Sequence, residues 1–234
     1  MGVSLPMAIR LTWLGHASWL IETASDRIIL DPFLTGNPAA KCRPSDLGKV
    51  THVLVSHAHH DHVADVHNFT ASGEATLIAN FEITQWFERH HGVKRSVGMN
   101  TGGKVAIASG EILMTPAFHS SSFSDGSYGG CPGGFVLKAS GKRIYFACDT
   151  GFFSDMAHYA LGADLAVLPI GDLFTMGIDE SIRAIRTIRP AKALPTHYGT
   201  WPPIEQDPHA WADRVRAESD AEPIVLKVGE SISL

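Results

Sequence analysis

Residues 53–62 read Val-Leu-Val-Ser-His-Ala-His-His-Asp-His, so His57, His59, Asp61 and His62 stand in the order H-x-H-x-D-H. His57 and His59 are two apart, and on extended backbone both side chains point to one side. Asp61 and His62 come after a turn of the chain and can face a second point a few ångströms away. Imidazole nitrogen and carboxylate oxygen are ligands that borderline divalent ions such as Zn²⁺ accept. The pattern therefore offers two ligands to each of two neighbouring ions. His60 alternates to the other side and is not expected to be a ligand. A merely histidine-rich surface loop would not explain why the pattern begins directly after an apolar run.

That run (Val50, Val53, Leu54, Val55) is β-branched and aliphatic, which predicts a buried strand ending at Ser56. Strands are expected over 9–14, 18–23, 27–30, 75–79, 104–108, 112–117, 134–138, 143–148, 165–169, 191–195 and 223–228. Helices are expected over 63–70, 81–91, 153–161, 179–188 with Asp179 as cap, and 208–217. Three polar residues follow predicted strands as His57 does: His119, Asp149 and His197. Each alone reads equally well as a turn or capping residue. Together they place His and Asp repeatedly at strand ends, where one sheet edge would gather them. Strands in runs with helices between favour two packed sheets with helices outside over a doubly wound parallel sheet.

The 234 residues suit one domain spanning 1–234, with 1–6 as an N-terminal extension before a second Met at position 7. Net charge is −5 with no basic run, so no nucleic-acid partner is expected. No apolar stretch is long enough to span a membrane and no signal sequence precedes Met7, which predicts a cytoplasmic protein without membrane attachment. Cys42, Cys131 and Cys148 are odd in number and widely spaced, as in a reducing compartment.

The order H-x-H-x-D-H, His119, Asp149, His197 resembles the metallo-β-lactamase superfamily over nearly the whole chain. Trp13-Leu14-Gly15-His16-Ala17, Asp31-Pro32-Phe33, Phe174-Thr175-Met176-Gly177 and Pro195-Thr196-His197-Tyr198 resemble its metal-dependent hydrolases related to L-ascorbate 6-phosphate lactonase. The resemblance implies an α+β fold, an αββα sandwich of two mixed β-sheets with helices on the outer faces. It implies that His57, His59 and His119 bind one ion, that Asp61, His62 and His197 bind the other, and that Asp149 bridges them. Two divalent ions per chain follow, Zn²⁺ first and Mn²⁺ or Fe²⁺ as alternatives.

Such a centre implies hydrolysis by a hydroxide shared between the ions, attacking a small ester, lactone or phosphoester. Asp61 and Asp149 are the candidates for taking the water's proton. Asp31 is the candidate for orienting the imidazoles, His16 for lining the site, and Tyr198 for donating to substrate. The loops 120–134 and 173–178 are the candidate substrate contacts. A small molecule is the expected partner, with a homo-oligomer as a further option. The alternatives are a non-catalytic metal-binding protein and a di-iron redox protein; the latter prefers a carboxylate where His59 stands.

Overall fold

The computed structural model describes residues 8–234, so the expected extension 1–6 lies outside the described residues. The first sheet is built from β1 (Arg10–Gly15), β2 (Ser18–Glu22), β3 (Arg27–Leu30), β4 (His52–Leu54), β5 (Thr76–Asn80) and β6 (Ser96–Met99). The second holds β7 (Lys104–Ile107), β8 (Gly110–Pro116), β9 (Gly133–Ala139), β10 (Lys142–Phe146), β11 (Leu165–Pro169), β12 (Lys192–Thr196) and β13 (Glu222–Pro223). β14 (Ser231–Ser233) returns to the first sheet, whose order is β14-β1-β2-β3-β4-β5-β6; the second runs β13-β12-β11-β10-β9-β8-β7. Both sheets are mixed. β3 to β6 pair in parallel, as do β10 to β13, and the strands beyond them are antiparallel.

Period-two alternation decides the layers. Trp19, Ile21, Ile28 and Leu30 join the core shared with the second sheet, while Leu20 and Ile29 join a separate apolar cluster on the other face. That outer cluster is covered by α3 (Phe81–His91) through Ile83 and Phe87. On the second sheet, α5 (Ile178–Ile188) buries Ile182, Ile185 and Ile188, and α6 (Pro208–Glu218) buries Trp211 and Val215. Trp211 Nε1 donates to Ser181 Oγ at 3.0 Å, joining the two helices. The shorter helices are α1 (His60–Val63), α2 (Val66–Thr70) and α4 (Met156–Ala160). The arrangement is the αββα sandwich.

Several boundaries differ from the sequence reading, each for a local reason. The expected helix 63–70 is two short helices, α1 and α2, broken at Asp65, whose φ of −108° and ψ of 8° leave the helical region. Asp61 and His62 therefore sit on α1 rather than beyond a turn. Gly177, not Asp179, caps α5; Asp179 lies in the first turn, where a carboxylate faces the positive helix end. The expected strand 223–228 is paired only at Glu222–Pro223. Gly229 (φ 91°) then turns the chain so that Ser231–Ser233 pairs with β1. β6 was not expected, since Ser-Val-Gly-Met carries no alternation.

The parallel strands deliver their C-terminal ends to one edge of each sheet, and contacts join the two edges. Trp19 of β2 spans the interface, with Nε1 donating to Thr196 Oγ1 of β12 at 3.2 Å. Thr196 Oγ1 in turn donates to the His16 carbonyl at 2.8 Å. Trp19 is fully buried. Its replacement by Ala should lower the unfolding free energy by about 3–5 kcal/mol, read by urea denaturation. A loss below about 1 kcal/mol would show that the two sheets do not depend on this contact.

Candidate metal centre

The polar residues at this edge are aimed by strained backbone. His16 (φ 53°) closes the β1–β2 corner, Asp31 (φ 45°) follows β3, Cys148 (φ 55°) precedes Asp149, and His197 (φ 54°) follows β12. All four are non-glycine residues in the left-handed region, a conformation that costs roughly 1–3 kcal/mol each and gathers at functional sites. Each bends the chain sharply as it leaves its strand. Gly171 allows the next loop to close over one of them, since a Cβ there would lie 2.3 Å from the His197 carbonyl.

Three groups of side chains result, each with one nitrogen or carboxylate oxygen per residue lying within 4.8 Å of the others. They are His57, His59 and His119; His16, Asp61, His62 and His197; and His57, His62 and Asp149. His57 Nε2 lies 2.9 Å from His59 Nδ1. Asp149 Oδ2 stands between the groups, 2.9 Å from His197 Nε2, 3.4 Å from His62 Nε2 and 3.7 Å from His119 Nε2. Asp61 Oδ2 lies 3.0 Å from His16 Nε2, 3.6 Å from His62 Nε2 and 4.0 Å from His197 Nε2.

Proximity around Asp149 is not hydrogen bonding. Among the described residues, His62 Nε2, His197 Nε2 and Nδ1, and Asp149 Oδ1 are buried without a hydrogen-bond partner. His197 Nε2 has the distance of a bond to Asp149 but not its alignment. Buried polar atoms are normally paired, because leaving one unpaired costs about 1–3 kcal/mol. Nitrogen and carboxylate oxygen turned toward a common space, unaligned with one another, fit a divalent cation.

The opposite edges of the rings are fixed. Asp31 Oδ1 accepts from Ser56 N at 2.7 Å, and Oδ2 accepts from Ser56 Oγ at 2.6 Å and from His62 Nδ1 at 2.9 Å. With its hydrogen given to Asp31, Ser56 Oγ is left to accept from His57 Nδ1 at 3.0 Å. Asp31 thus holds His62 directly and His57 through Ser56, and both rings turn Nε2 toward the shared space.

A β-lactamase superfamily domain model matches residues 26–198. The chain is 45% identical over 227 residues to a UPF0173 metal-dependent hydrolase of Thermus thermophilus, covering 97% of this chain and 99% of that one. A UPF0173 metal-dependent hydrolase of Pyrococcus furiosus is 40% identical, with 97% and 100% covered. This chain belongs to that family within the β-lactamase superfamily. Igni18, a metallo hydrolase of the hyperthermophilic archaeon Ignicoccus hospitalis, superposes with a TM-score of 0.87 at 32% identity, covering 97% of this chain and 98% of that one.

All seven residues expected as ligands lie at this edge, and His16 and Asp31 lie there beside them. Tyr198 lies apart: its ring stacks on Trp13 at 5.2 Å, it belongs to the apolar core, and burial pushes its phenol up to about 12. His60 is exposed and turns away, its ring 6.1 Å from Phe33. The loop 120–134 is pinned to the motif, since Ala58 N donates to Ser121 Oγ at 3.2 Å and Ser120 Oγ lies 3.4 Å from His59 Nε2. The loop after β11 is tied beside Asp149 by Met176 N donating to the Thr150 carbonyl at 2.9 Å. Ser56 and Thr200 escaped the sequence reading. A lone hydroxyl carries no spacing signal, and Ser56 could have been found only as the residue between strand and first His.

Burial lowers His57 well below the ordinary imidazole value, and charge on His62 adds to it. His62 goes the other way: burial alone would lower it, but Asp149, Asp31 and Asp61 outweigh burial and raise it well above that value. Burial would raise Asp149, yet His197 and His62 hold it well below the carboxylate range. In the metal-free protein the His57 contribution to stability is present above the ordinary imidazole value, about 6.5, and is lost as pH falls. The His62 contribution is present below that value and lost as pH rises through the raised one. Urea midpoints in chelator should therefore decline on both the acid and the alkaline side. Added divalent ion should remove the alkaline decline if His62 holds it, because an imidazole gives up its proton to bind a metal. An alkaline midpoint that does not fall in chelator would contradict the His62 charge.

Proposed function

We propose that this protein is a dinuclear metal-dependent hydrolase of a small ester, lactone or phosphoester. His57, His59 and His119 would hold one divalent ion, Asp61, His62 and His197 would hold the other, and Asp149 would serve both. The observation that carries this reading is the placement of Asp149 Oδ2 within 3.7 Å of His62, His119 and His197 Nε2, beside buried imidazole nitrogens without partners. Zn²⁺ suits the ligand set best, with Mn²⁺ or Fe²⁺ as alternatives.

When bound, two such ions would acidify a water held between them and polarise the carbonyl or phosphoryl oxygen under attack. The chain supplies the rest. Asp149 and Asp61 are carboxylates kept ionised, so each can accept the water's proton as attack proceeds. Asp31 and Ser56 keep His62 and His57 in the tautomer that faces the centre. Phe118, Leu173 and Phe174 are 66%, 69% and 55% exposed, on segments bonded to Thr150 beside Asp149, and would seat an apolar part of the substrate. The free thiols Cys42, Cys131 and Cys148 support a reducing, cytoplasmic setting.

The test is turnover of lactones, phosphodiesters, phosphomonoesters and β-lactams by protein reconstituted with Zn²⁺ or Mn²⁺, with His59→Ala beside it. One class should turn over, and the variant should lose about 100-fold or more of that rate. Two bound ions with no class turned over above the variant would favour a binding role.

A further inference from the structure

The group around Asp61 contains a residue that the family ligand pattern does not use. His16 is fully buried, and its ring centroid lies 4.0 Å from that of His197. Its Nε2 is in hydrogen-bonding geometry with Asp61 Oδ2 at 3.0 Å, and its Nδ1 with Thr200 Oγ1 at 2.8 Å. Its backbone is held as firmly. The His16 carbonyl accepts from Trp13 Nε1 at 2.9 Å, from Thr196 Oγ1 at 2.8 Å and from His197 N at 3.1 Å. Three donors from two sheets fix one strained corner, which leaves the ring little freedom to serve as filler.

Two roles are open to such a ring. As a fourth ligand of the second ion, His16 would need a bare Nε2 and would carry its hydrogen on Nδ1. As a donor to Asp61, it needs that hydrogen on Nε2. An ionised carboxylate accepts only, whereas a threonine hydroxyl can give or accept. With Nε2–H donated to Asp61, the Thr200 hydroxyl donates to the bare Nδ1, and both His16 nitrogens are satisfied. We propose that His16 is a positioning residue, fixed in the Nε2–H tautomer by Thr200, which orients Asp61 toward the second ion without itself binding it. This rests on the dinuclear reading above and assigns Asp61 a partner equivalent to the one Asp31 gives His62. Its consequence is that Asp61, His62, His197 and Asp149 would be the protein donors to the second ion, and His16 would not take up a further coordination position.

Nitrogen NMR of histidine-labelled, Zn²⁺-loaded protein reads the tautomer directly, with His16→Gln identifying the signal by its loss. The Nε2–H form is expected; the Nδ1–H form would make His16 a ligand and overturn the proposal. Zn²⁺ titration supplies a second readout. His16→Leu should weaken the second ion by about 10- to 100-fold and leave the first unchanged. His16→Gln, whose amide can still donate to Asp61, should restore most of that loss, as a ligand's replacement would not. Thr200→Val should weaken the same step and Thr200→Ser should restore it. Thermal melts of the metal-free variants separate these effects from misfolding. If the wild type takes two ions and His16→Leu takes both as tightly, His16 has no such role while the dinuclear centre stands. A wild type that takes fewer than two ions overturns the dinuclear reading and this one with it.

Discussion

Everything at the functional edge depends on one electrostatic requirement: imidazoles packed side by side in a dry site must not repel one another. Burial holds His57, His119 and His16 toward the neutral form, the last down to about 4. His62 alone is driven toward the charged form, because Asp31, Asp61 and Asp149 surround it. Without an added cation the chain thus places one proton where its carboxylates converge. That proton is a poor substitute for a divalent ion, since it leaves both His62 Nε2 and His197 Nε2 beside Asp149 without alignment. The electrostatics of the metal-free protein point to the place where positive charge belongs.

The fold meets this requirement by repetition. Each sheet contributes a parallel half whose strands end together, and each contributes an acidic strand end, Asp31 after β3 and Asp149 after β10. The two do different work. Asp31 lies behind the imidazoles, bonded to Ser56 and His62, and sets ring orientation. Asp149 lies among the imidazoles, with His62, His119 and His197 around it. The difference follows from the next layer: Asp31 has Ser56 N and Oγ to occupy its oxygens, while Asp149 Oδ1 has no such partner. The left-handed turns at His16, Asp31, Cys148 and His197 bear the backbone strain, and it persists because burial and convergent hydrogen bonds on both sides over-determine those positions.

The gathering of the candidate ligands at one edge was legible because its signal is local: four residues in fixed spacing after an apolar run, then single polar residues closing later runs. Two-sheet layering was legible for the same reason, since alternation at Trp19–Ile21 and Ile28–Leu30 survives into both buried faces. What escaped depends on partners distant in sequence. Ser231–Ser233 becomes a strand only because β1 lies beside it, and Ser-Val-Gly-Met only because β5 does. Tyr198 illustrates the opposite error. Its position after His197 suggested a substrate donor, but the left-handed turn at His197 sends the next side chain back onto Trp13.

Thr200 marks the limit most clearly. It lies 184 positions from His16, and nothing in its type or spacing distinguishes it from the chain's other threonines. Its meaning comes from a chain of necessities that only geometry reveals. Asp61 accepts and cannot give, so the His16 hydrogen goes to Nε2, and the bare Nδ1 then needs a donor. A hydroxyl is the smallest side chain that can supply one in a space closed by Trp201, whose ring lies 5.0 Å from that of His16. Family-level ligand patterns record which residues touch an ion. The orientation of those residues is set one shell further out, where a single hydroxyl decides which edge of an imidazole carries its hydrogen.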